Sequence, residues 1–171
     1  MLIRTSELRG IGGFRRIRGA LIDDCALAAE VKRRGNRIWI GLSQAVASRR
    51  AYPELSDFWQ MVSRTAYTQL RYSFVLLLAT TMVMTTLFAA PPVALVAGAS
   101  IESAVLGGLA LAAMATAYAP VVRFYRLPLS WTLSLPVAAM LFLAMTLSSA
   151  VACWRGTRAT WKDRAYETPR R

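Results

Sequence analysis

The only adjacent carboxylates in the chain are Asp23 and Asp24, placed where a helix is expected to begin. Two carboxylates this close raise each other's proton affinity, which suits one of them to take a proton from a hydroxyl, while a helix N-terminus pulls the other way by favouring charge. Capping of the helix is the alternative use of the same pair. Arg71 and Tyr72 close a second expected helix. A guanidinium fork can hold a phosphate through two hydrogen bonds, or it can be a cation snorkelling at a lipid boundary. Histidine is absent, which removes Ser-His-Asp and Cys-His catalysis and every His-ligated metal site. Cys25 and Cys153 lie far apart, form no CxxC motif and read as small apolar residues.

The elements that must position these groups follow from spacing. Residues 20–34 place Leu21, Ile22, Cys25, Leu27, Ala28 and Val31 near helical spacing, with Asp23 and Asp24 in the first turn and Lys32 to Arg34 in the last. Gly35 and Asn36 stop that helix, and the β-branched and aromatic run 37–42 reads as a strand. A second helix is expected over 56–72 with Ser56 as N-cap. Phe58, Trp59, Val62, Ala66, Tyr67 and Leu70 lie on or beside one stripe of it, which suits a helix in the membrane interface or one packed on a soluble domain.

Composition sets the setting. The 171 residues are 56% apolar and 18% charged, with a formal charge of +12, and this excludes disorder, collagen and a disulfide framework. Residues 1–72 hold 13 basic and 6 acidic side chains, whereas 73–122 hold no basic residue and one acid, Glu102. A basic segment beside apolar spans reads as a cytoplasmic face near anionic lipid, and no nucleic-acid partner is expected. The first residues carry no secretory signal.

Three membrane spans are expected, at 73–90, 103–119 and 133–154, the second borrowing from 93–101 to reach the ~20 residues a crossing needs. Glu102 is placed near the outer interface, where its charge is tolerated, and Gly107, Gly108, Ala112 and Ala113 permit close helix packing. Basic residues put 1–72 inside and return Arg123 and Arg126 inside. Three crossings then send out a tail, 155–171, with six basic and two acidic residues, against the same rule. An extra or re-entrant element between Pro91 and Pro136 would bring it back in.

In order, the chain carries Gly12-Gly13-Phe14, Ile22-Asp23-Asp24, a helix, Gly35, the run 37–42, Tyr52-Pro53, and a helix ending in Arg71-Tyr72. This order resembles the second half of the catalytic domain of family 2 glycosyltransferases, where a GGF-type turn and an acidic "ED" pair precede a QxxRW-type motif on an interfacial helix. GALIDDCALA, RIWIGL, RTAYTQLRYS and WKDRAY make it most similar to the hopanoid-associated type. The resemblance covers nearly the whole chain.

The resemblance implies an α/β remnant of a GT-A catalytic domain over 1–53, an interfacial amphipathic helix over 54–72, a helical transmembrane region over 73–154 and a basic tail over 155–171. It implies transfer of a sugar from a nucleotide-sugar donor to a membrane lipid of hopanoid type, in the cytoplasmic (inner) membrane with the N-terminal segment cytoplasmic. Asp24 matches the general base of the "ED" pair and Asp23 stands at the glutamate. Arg71 and Tyr72 match the RW beside the donor diphosphate, Thr68 falls at the glutamine position and Gln69 one residue later. Family members bind nucleotide and a divalent metal, Mg or Mn, through a DxD motif, and no two acids here are spaced i, i+2. The chain is therefore expected to be a C-terminal half, binding no metal and turning over no sugar nucleotide alone. The alternative is a non-catalytic polytopic scaffold or partner subunit with a basic cytoplasmic arm.

Overall fold

The computed structural model describes residues 2–20, 22–46 and 52–156, and the backbone of 160, 161, 164 and 165. Two compact units are formed, Met1–Ala51 with Arg158–Arg171, and Tyr52–Thr157.

In the first unit, α1 (Thr5–Gly10) leads into a short 3-10 turn (Gly13–Ile17) and then α2 (Asp23–Arg33). Gly12 and Gly13 both adopt positive φ, +89° and +68°, so the GGF turn needs residues without a Cβ. Ile11, Ile17 and Leu27 form a small core, flanked by Ile3, Leu8 and Ala26. α2 ends as its sequence requires: Gly35 takes the left-handed position, its N–H bonding Lys32 O while Asn36 N–H bonds Val31 O.

The α/β expectation is overturned here. Residues 37–42 form no strand and no helix, and Trp39 and Ile40 are almost fully exposed. A β-branched run becomes a strand only when a neighbour takes its N–H and C=O groups, and the described residues provide none beside it. The strands found among them are the two-residue pair β1 (Thr160–Trp161) and β2 (Arg164–Ala165), antiparallel to each other. No remnant of a GT-A sheet is present among the described residues.

The second unit is helical. α3 (Leu55–Gln69) is followed by α4 (Phe74–Met84), a π-helical turn (Thr85–Ala89) and α5 (Ala90–Ala97), then α6 (Ile101–Phe124), a 3-10 turn (Leu129–Ser134) and α7 (Leu135–Trp154). Among the described residues, three stretches are long and apolar enough to cross a membrane: Phe74–Ala97, Ile101–Phe124 and Leu129–Trp154. The first runs through Pro91-Pro92, where a stop was expected. The π turn just before shifts the bonding so that two residues without N–H groups are absorbed. Glu102 sits exposed in the first turn of α6, behind a Ser100–Ser103 capping box. Gly107 lets α5 and α6 approach, because a Cβ there would lie 2.6 Å from Pro91 O.

α7 is the hub of this unit. Phe74 at the start of α4 meets Trp154 at the end of α7, ring centroids 6.2 Å apart, and Leu77 is buried with Ala150. These pairings make α4 and α7 antiparallel neighbours. α3 runs the same way as α7: Phe58 stacks edge-on with Phe142 at 5.7 Å, Trp59 Nε1 donates to Ser148 Oγ, and Tyr67 meets Trp154. The start of α3 differs from expectation. Glu54, not Ser56, precedes the first turn, and Ser56 Oγ donates to the Glu54 carboxylate at 3.0 Å.

Candidate functional site

Asp23 and Asp24 occupy the first turn of α2, as their spacing predicts, and both are exposed. Asp23 Oδ1 accepts the N–H of Asp24 at 3.0 Å, and Asp24 Oδ1 accepts the N–H of Cys25 at 2.7 Å. Each carboxylate thus satisfies a helix-start donor. The Asp24 carboxylate also acts on Cys25, an effect with no signature in residue spacing. Desolvation, the nearby Asp24 charge and a hydrogen bond to Asp24 together push its thiol above the usual range.

Arg71 and Tyr72 lie in the other unit, just past α3 rather than within it. The helix ends at Gln69, which is exposed, because Arg71 and Tyr72 both take left-handed backbone, φ 52° and 56°. Arg71 N–H bonds Thr68 O at 2.9 Å and Tyr72 N–H bonds Tyr67 O at 3.1 Å. This is a Schellman closure with arginine where glycine usually stands. Left-handed residues of this kind cost on the order of 1–3 kcal/mol each and persist only where the surroundings hold them.

The surroundings here do so. Tyr67, 2% exposed, donates from its hydroxyl to Tyr72 O at 2.8 Å, and Thr68 Oγ1 donates to the Tyr72 hydroxyl at 3.0 Å. The Tyr67 ring meets Tyr72 edge-on at 5.6 Å and Trp154 edge-on at 6.0 Å, and its N–H donates to Ser149 Oγ at 3.1 Å. The result is an exposed guanidinium on a braced turn, able to offer its fork to a phosphate. Tyr67, Ser149 and Trp154 were not foreseen as site residues. The available signal was a Trp at the end of an apolar span, a position that favours amphipathic rings.

The model of glycosyl transferase family 21 matches residues 1–167 of the chain. The chain belongs to that family. The family 21 match bears out the glycosyltransferase expectation and does not extend to its finer form, family 2 of the hopanoid-associated type. No curated protein and no solved structure matches it. Among the described residues of this family 21 chain, no three His, Cys, Asp or Glu side chains come together as metal ligands, so they do not fit a divalent ion. The chain thus joins a glycosyltransferase family match to three helices, among the described residues, that are long and apolar enough to cross a membrane.

Proposed function

We propose that this chain forms the acceptor side of a glycosyltransferase of the cytoplasmic membrane, moving a sugar from a nucleotide-sugar donor to the hydroxyl of a membrane lipid, with residues 1–72 on the cytoplasmic side. The reading is carried by one conjunction: the glycosyltransferase family match and three membrane-capable helices in a single chain. In the transfer step the acceptor oxygen attacks the anomeric carbon and forms the new glycosidic bond. The bond from that carbon to the diphosphate breaks, and the nucleoside diphosphate leaves with the electron pair. Asp24 takes the acceptor proton, Asp23 supports the charge beside it, and Arg71 faces the diphosphate next to Tyr72, with Thr68 and Gln69 on the last turn of α3. A hopanoid-type lipid is the finer acceptor proposal, to be compared with other lipid alcohols in an acceptor panel.

The test is Asp24→Asn, assayed as donor-dependent labelling of lipid in membranes where the nucleotide-binding portion is supplied with this chain. Transfer should fall by about a hundredfold or more while membrane insertion stays normal. Unchanged transfer with normal insertion would contradict the assignment and favour the scaffold reading.

A further inference from the structure

Two helices of the second unit end in the same way, and their difference isolates one side chain. α6 closes with Arg126 left-handed at φ 56°, Arg126 N–H bonding Arg123 O and Leu127 N–H bonding Val122 O. α3 closes identically at Arg71, but there the next residue, Tyr72, is left-handed as well. Arginine at such a position is explained by the negative end of the helix dipole. The second left-handed residue is not, and it is the one that the Tyr67 hydroxyl holds by its carbonyl. Tyr67 is itself fixed from α7, through Ser149 and Trp154.

We infer that Tyr67 is a positioning residue: acting through Tyr72, it sets the direction in which Arg71 presents its guanidinium to a diphosphate, and it couples that direction to the last apolar helix. The inference rests on the proposed role of Arg71. Its ligand chemistry is a diphosphate group, which a soluble donor or a lipid headgroup could offer, and the soluble donor is the occupant argued for.

The test uses the full 171-residue chain in nanodiscs of zwitterionic lipid, titrated with inorganic pyrophosphate and followed by calorimetry. Arg71→Gly removes the guanidinium and leaves the residue type best suited to that backbone, so the helix end survives; it should abolish saturable binding. Tyr67→Phe keeps both ring contacts and the bond to Ser149 and deletes only the hydroxyl. It should weaken binding about fivefold with little change in the thermal midpoint, and add nothing in the Arg71→Gly background. Arg126→Gly should bind as wild type. No saturable binding by wild type, or equal binding by Arg71→Gly, overturns the Arg71 reading and the inference with it. Loss in Arg71→Gly with wild-type binding in Tyr67→Phe overturns the inference alone. Discs containing anionic lipid should leave the affinity unchanged; displacement of pyrophosphate there would overturn the soluble-donor assignment in favour of the headgroup.

Discussion

The two helix ends that carry the candidate chemistry are held in opposite ways. At the start of α2, among the described residues, Asp23 and Asp24 each bond to the residue that follows, on a helix that buries Leu27 and Val31. At the end of α3, the turn bearing Arg71 is braced by Tyr67, whose own N–H is bonded to a serine 82 positions along the chain. The acid's placement is therefore local, written in a few consecutive residues. The cation's placement depends on the packing of α3 and α4 against α7, and changes far away in sequence reach it.

That contrast can be broken by experiment, beginning with an all-or-none effect. Because α4 and α7 are antiparallel, the turn before α4 and the end of α7 share one face if both helices cross the membrane. Cysteines introduced as Gln69→Cys and Gly156→Cys should then be labelled by a membrane-impermeant maleimide from the same side. Labelling from opposite sides would restore three simple crossings and detach α7 from the site. Next in size, Tyr67→Ala should destabilise the second unit by roughly 3 kcal/mol, by loss of a fully buried ring. It should do so without altering hydrogen exchange in α2, and a spread of the effect into α2 would erase the distinction between local and distant support. The smallest effect concerns Cys25. Its thiol is raised partly by the Asp24 charge, so Asp24→Asn should shift the alkylation midpoint of Cys25 to lower pH and speed alkylation severalfold at a fixed pH below it. Peptide mass spectrometry reads this directly, and an unmoved midpoint would show that Asp24 does not face the thiol.

What could be read from sequence follows the same division. The acidic start of α2, the Gly12-Gly13 turn, the Gly35 stop and the existence of three apolar stretches are set by neighbouring residues, and they stand where spacing places them, except that the first stretch runs on to Ala97. The run 37–42 was misread because β-branching states a preference, while a strand also needs a partner that the described residues lack. The end of α3 was placed three residues too late because Arg71 and Tyr72 carry no glycine to announce left-handed backbone. Their conformation comes from Tyr67, Ser149 and Trp154, which meet only after α3 and α7 pack. The prolines at 91 and 92 misled for a similar reason, since a π turn upstream took up their missing donors.

The proposed transfer step gives Asp24 and Arg71 roles in one reaction, which requires both to reach one substrate. The most direct measurement is a spin-label distance between native Cys25, next to Asp24, and Gln69→Cys, beside the Arg71 turn, in a Cys153→Ser background in lipid discs. A single narrow separation well below the ~30 Å hydrocarbon thickness is the predicted result. A separation at or beyond that thickness, or a broad distribution with no short component, would place acid and cation apart and contradict the transferase site drawn from them.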